Sequence, residues 1–160
     1  MSVEAKVIWQ GGLKLDGTAD TGFHVPLSAD EAVGGDGQGF KPMELIAIGL
    51  AACTALDVIS ILQKKRQDVT NFEVQVHALR SPEHPKVFTH AVIEYFVTGH
   101  GVDEAAVVRS IELSAVRYCP AQAMFREVFP IELKYHIFEA GENEERTLVK
   151  SGEYTVPVDN

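Results

Sequence analysis

Hydrophobic and polar positions change period several times along this chain, and each change predicts an element. Val7-Ile8-Trp9, Leu13-Lys14-Leu15 and Phe23-His24-Val25 predict three short strands in a meander, with Asp16-Gly17 as a tight turn. Residues 29–39, rich in Gly and Asp, predict a mobile surface loop. From Pro42 the chain turns apolar on nearly every face, and Met43 through Leu62 predicts one long helix closed by the cationic Lys64-Lys65-Arg66. Its length approaches a membrane span, but Asp57 near the middle, with Thr54 and Ser60, predicts a buried core helix instead. A helix apolar all round must be covered by protein.

Beyond it, Phe72 to Ala78 alternates with period two, Ser81-Pro82-Glu83-His84-Pro85 breaks the run, and β-branched and aromatic residues from Val87 to Thr98 predict a longer strand paired to the first. Asp103 predicts the N-cap of a helix reaching about Tyr118, with Val107, Ile111, Ala115 and Tyr118 at helical spacing. Ile131 to Ile137 alternates as a further strand. This order predicts an α+β fold whose strand pairs lack helical crossovers. The main domain is expected over residues 1–138. Residues 139–160 form a polar, acidic extension in which Thr147-Leu148-Val149 and Tyr154-Thr155-Val156, flanking Ser151-Gly152, predict a hairpin.

At 160 residues and 46% hydrophobic, the chain is long and apolar enough for a sizeable core. A net charge of −9 works against phosphate contacts, which need clustered Lys and Arg, so neither nucleic acid nor an anionic membrane is an expected partner. Met1 to Lys6 has no cationic start and apolar signal core, which predicts a cytoplasmic protein. In that compartment a cysteine pair is redox-active or reduced more often than a structural staple. No cofactor is expected, because the glycines form no G-x-G-x-x-G fingerprint. His24, His77, His84, His90, His100 and His136 are scattered without metal-ligand spacing, so no metal is expected either.

The chemistry therefore rests on the only two cysteines. Cys119 precedes Pro120 and an Ala/Gln/Met/Phe run, which places proline at the first helical position and Cys119 at the N-cap. Unpaired amides and the helix dipole there favour a thiolate, so Cys119 is expected to ionise readily. Cys53 lies in the long apolar helix. Apolar surroundings disfavour a thiolate, so Cys53 attacks only if a cation or donors reach it; otherwise it is a small core residue. Asp57, one turn on, is a candidate tuner of the thiol, although a buried carboxylate more often caps or pairs structurally.

These residues resemble the OsmC/Ohr family of thiol-dependent peroxidases, most closely its YhfA-like branch. The likeness is carried by Pro42-Met43-Glu44-Leu45, by Gly49-Leu50-Ala51-Ala52-Cys53-Thr54-Ala55-Leu56-Asp57-Val58, by Phe88-Thr89-His90, Val97-Thr98-Gly99 and Leu113-Ser114-Ala115, and by Tyr118-Cys119. It implies an intertwined homodimer, with a long buried central helix between antiparallel sheets and active sites at the subunit interface. It further implies that Cys53 attacks an organic hydroperoxide and that Cys119 resolves the sulfenic acid as a disulfide, which an external dithiol reduces.

Peroxidase members carry an arginine before the helix and a glutamate directly after the proline. Here no arginine precedes Arg66, and Glu44 stands one position later, behind Met43. Glu44 and Arg80 are thus the candidate partners of the Cys53 thiolate, Arg80 because a guanidinium stays charged. The alternative is a binding or structural protein of the same fold, with an apolar ligand in an interfacial cavity and no turnover.

Overall fold

The computed structural model describes residues 1–157 and divides into two units, Met1–Ala47 and Ile48–Asn160, the latter described as far as Pro157. In the first unit, β1 (Ala5–Trp9), β2 (Lys14–Ala19) and β3 (His24–Ser28) form an antiparallel sheet in chain order. The chain reverses at Gly11-Gly12 and at Gly22, all three with positive φ. The turn expected at Asp16-Gly17 lies inside β2 instead. Gly17 serves packing there, since a Cβ would stand 2.9 Å from Leu27 Cδ1.

The glycine-rich loop is tied down rather than loose. It holds a 3-10 turn over Glu31–Val33, Ser28 Oγ donates to Asp36 at 2.8 Å, and Lys14 pairs with Asp36 at 2.5 Å. Lys14, the Gln38 amide and the Ser28 hydroxyl together hold the Asp36 carboxyl down at about 2. The unit ends in the first turn of α1 (Pro42–Lys64), where Glu44 Oε2 accepts from the Lys41 amide at 3.0 Å. This is the returning half of a capping box.

In the second unit α1 buries one stripe, Leu50, Thr54, Val58 and Leu62, spaced four residues apart. The helix expected to be covered all round is covered on one face only, for Leu56 is 70% exposed and Ile48 47%. It has the length and composition of a membrane span, yet Thr54 and Asp57 are both hydrogen-bonded within the protein. Arg66, with positive φ, ends it: its amide donates to Gln63 O at 2.9 Å and that of Gln67 to Leu62 O at 3.0 Å. These are the two bonds of a Schellman motif.

The second sheet runs β4 (Asp68–Arg80), β5 (Phe88–His100), β6 (Ile131–Ala140), β7 (Arg146–Tyr154). β4–β5 and β6–β7 are antiparallel, but β5 and β6 are parallel, with Ile93, Tyr95 and Val97 opposite Leu133, Tyr135 and Ile137. A crossover therefore exists, contrary to expectation. It consists of α2 (Glu104–Leu113), a π turn over Ser114–Tyr118 and α3 (Pro120–Phe125), because a parallel pair needs a long connection. Alternation aims Ile93, Tyr95, Val97, Leu133, Tyr135 and Ile137 at the α1 stripe and at Val107 and Ile111 of α2, forming the core. Asp103 caps α2 by accepting from the Ala105 amide at 3.2 Å, as the sequence predicts.

The expected hairpin around Ser151-Gly152 is instead one continuous strand, β7, which pairs with β6. Gly152 lies opposite Tyr135, and a Cβ there would sit 2.3 Å from the Tyr135 hydroxyl. That glycine gives Tyr135 room to donate to Glu104 Oε1 at 2.7 Å, a bond that pushes the tyrosine up to about 12. Close approach, not a turn, is what Gly152 supplies.

Candidate active site

Both cysteines are reduced and both belong to the second unit. Cys53 is half-buried on α1, while Cys119 is 2% exposed. The π turn delivers Cys119: its amide donates to the Ser114 carbonyl, five residues back, at 2.9 Å, and its own backbone is extended. Arg126 Nη1 donates to the Ala115 carbonyl at 2.9 Å, an acceptor at the start of the turn. Pro120 then opens α3, and the Gln122 amide donates to Cys119 Sγ at 3.4 Å. The N-cap placement is the one read from sequence.

Its ionisation is not. Burial pushes the Cys119 thiol well above the ordinary cysteine value, against the single opposing bond from the Gln122 amide. The neighbouring Cys53 side chain and the Asp57 carboxylate act in the same direction as burial. The readily ionised Cys119 expected from the helix terminus is thus corrected: it is a buried thiol that keeps its proton.

Beside the two sulfurs lies a buried polar chain. Thr54 Oγ1 is 2.6 Å from Tyr95 Oη and 2.9 Å from Ser114 Oγ, Ser114 Oγ donates to Asp57 Oδ2 at 3.0 Å, and Gln122 Nε2 donates to Thr54 Oγ1 at 2.9 Å. Burial raises the Tyr95 hydroxyl well above its usual value, the bonds to Thr54 and Gln122 opposing it. Sequence reading did not assign Tyr95, Ser114 and Gln122 to the site. The available signal was Thr54 itself, a polar residue in register with Leu50, Val58 and Leu62 on an apolar helix.

The other two candidates are held by bonds of their own. Glu44 caps the start of α1 and lies in the first unit. Arg80 is exposed at the end of β4, and its Nε donates to the Lys86 carbonyl at 2.9 Å. Val74 pairs with Tyr95, whose hydroxyl meets Thr54, and Arg80 lies six residues further along β4. At about 3.3 Å per residue that is roughly 20 Å, beyond a guanidinium's reach. Within one chain the structure brings Cys53, Cys119 and Asp57 together, but not Arg80. Among the described residues, no group of three His, Cys, Asp or Glu side chains is placed to hold a metal ion.

Residues 35–147 match the family model described as OsmC-like protein. Protein YhfA of Escherichia coli strain K12 is 36% identical over 138 residues, covering 86% of this chain and 100% of the relative. A crystal structure of a protein from Aquifex aeolicus VF5 superposes with TM-score 0.77 at 23% identity, covering 88% of this chain and 99% of that one. The organic hydroperoxide resistance protein OhrB of Bacillus subtilis superposes with TM-score 0.56 at 19% identity, covering 84% and 98%.

The raised Cys119 thiol carries a pH signature. The folded state holds that proton longer than the unfolded chain, so the stability it contributes is complete below about pH 8.5, the ordinary cysteine value, and is lost as pH rises towards the folded one. Tyr95 acts in the same direction from about pH 10. Urea unfolding between pH 7 and 10.5 should show stability falling from about pH 8.5, and Cys119→Ala should flatten the first part of that fall. Equal slopes in the two proteins would show that folding does not hold the Cys119 proton.

Proposed function

The chain belongs to the OsmC-like protein family, and from that membership we propose that it is a thiol-dependent peroxidase reducing organic hydroperoxides through Cys53 and Cys119. The observation that supports the reading is two reduced thiols linked through one residue: Gln122 donates its amide to Cys119 Sγ and its side chain to Thr54, the neighbour of Cys53. The Cys53 thiolate attacks one peroxide oxygen, the O–O bond breaks, and the alkoxide leaves as the alcohol after taking a proton. Cys53 becomes a sulfenic acid. Cys119 then attacks that sulfur, its proton leaves with the hydroxyl as water, and a Cys53–Cys119 disulfide forms. An external dithiol restores both thiols and is itself oxidised. The names of structural neighbours support the substrate class, OhrB among them.

The neutral Cys119 suits the second role better than the first, because the thiolate is the attacking form. A thiol held protonated beside the sulfur it will later attack does not compete for peroxide, yet it is already in place when the sulfenic acid appears.

The working unit is a homodimer in this proposal. Ile46, Ile48 and Leu56 are exposed on α1, and a helix this apolar needs cover on those faces. Arg80 acts on Cys53 in this reading only if a second copy supplies it. The opposing reading, an apolar-ligand protein without turnover, is favoured by one observation: Arg80, the candidate guanidinium, is bonded to the Lys86 carbonyl at the end of β4 instead.

Two measurements test these statements. Reduced protein given one equivalent of tert-butyl or cumene hydroperoxide should lose both thiols, Cys53→Ser should lose none, and Cys119→Ser should lose one, with a sulfenic acid trapped by dimedone. Thiols that alkylate freely yet ignore both hydroperoxides would leave the binding protein as the better account. Light scattering at micromolar concentration should give twice the 17.5 kDa chain mass, whereas a monomer would remove the interfacial site.

A further inference from the structure

The redox steps leave the buried polar chain without a role, and its protons can be placed by elimination. A carboxylate only accepts, so the one hydroxyl proton of Ser114 points at Asp57 Oδ2. Ser114 Oγ must then accept from Thr54, whose proton is thereby used. Thr54 Oγ1 accepts in turn from the Tyr95 hydroxyl and from Gln122 Nε2, which fills both of its lone pairs. The second amide proton of Gln122 faces Tyr95 Oη at 3.4 Å. Each hydroxyl proton is used once and runs in one direction, Tyr95 to Thr54 to Ser114 to Asp57. None is left over for either sulfur.

The chain therefore does not act by hydrogen-bonding a thiolate. It acts on position. Gln122 is 2% exposed and joins the surroundings of the two cysteines: its backbone amide holds Cys119 Sγ, and its side chain holds Thr54, the residue after Cys53. Ser114 completes the clamp, its hydroxyl bound to Thr54 and its carbonyl to the Cys119 amide. We propose that Gln122 and Thr54 are positioning residues that fix Cys119 at the Cys53 sulfur, so that disulfide closure needs no rearrangement of α1 against the π turn and α3. This rests on the reading of Cys53 and Cys119 as a redox pair, but not on the hydroperoxide as oxidant.

Closure is read in a glutathione buffer, where glutathione disulfide oxidises the pair and leaves as two thiols. The equilibrium constant gives the effective concentration of one thiol at the other. Thr54→Val keeps the shape and removes the hydroxyl, and Gln122→Met keeps the length and the backbone amide while removing the side-chain donors. Each should lower the effective concentration about three- to tenfold, the factor one net hydrogen bond carries, and Thr54→Ser should restore it. Alkylation of Cys53 in a Cys119→Ser background should be unchanged by either substitution. Lower melting temperatures with closure within about twofold of wild type, which is less than a net hydrogen bond carries, would show a merely structural network and overturn the proposal. Gln122→Met decides the matter where Thr54→Val does not fold. A wild type that closes in glutathione but ignores hydroperoxide overturns the proposed peroxidase and leaves the positioning role standing.

Discussion

One buried hydroxyl, Thr54 Oγ1, is where α1, β5, the π turn and α3 meet. A buried polar atom left without partners costs about 1–3 kcal/mol, and this one has three within 2.9 Å. Tyr95 reaches it from the centre of β5, Ser114 from the start of the π turn, and Gln122 from α3. Moving any of these elements breaks a bond at an atom closed to solvent. The two cysteines inherit this constraint, since Cys53 is the covalent neighbour of Thr54 and Cys119 lies at the N-cap of the helix that carries Gln122.

The same burial decides which sulfur keeps its proton. A helix terminus stabilises an adjacent charge by about 0.3–1 kcal/mol, and up to about 2 in partly buried sites. Full burial of an ionisable group shifts its titration by as much as about 3–5 units, at about 1.4 kcal/mol per unit. Burial wins at Cys119, and it wins more easily because α3 has only six residues and one amide aimed at the sulfur. The result is an asymmetric pair, a half-buried thiol on α1 and a fully buried one on the crossover.

Periodicity made much of this legible. The apolar run that is α1, the Asp103 and Cys119 caps, and the alternation of β4, β5 and β6 follow from local rules, and each holds in the structure. What failed is non-local. The parallel pairing of β5 with β6 depends on where the crossover returns, which no local pattern records. Gly152 resembles a turn residue until Tyr135 is placed opposite it. Proline after Cys119 fixes the cap but says nothing of the desolvation that reverses its effect. Nor does sequence show that Thr54, Tyr95, Ser114 and Gln122 converge, because three separate elements must first pack on α1.

The central claim is that this packing holds two particular sulfurs of one chain at bonding range. It is tested most directly by peptide mapping of protein oxidised with one equivalent of organic hydroperoxide and then alkylated under denaturing conditions. The account predicts one dominant cross-linked peptide pair, Cys53 joined to Cys119 within a single chain, which dithiothreitol separates. Recovery of Cys119 alkylated, with Cys53 overoxidised or linked between chains, would contradict it.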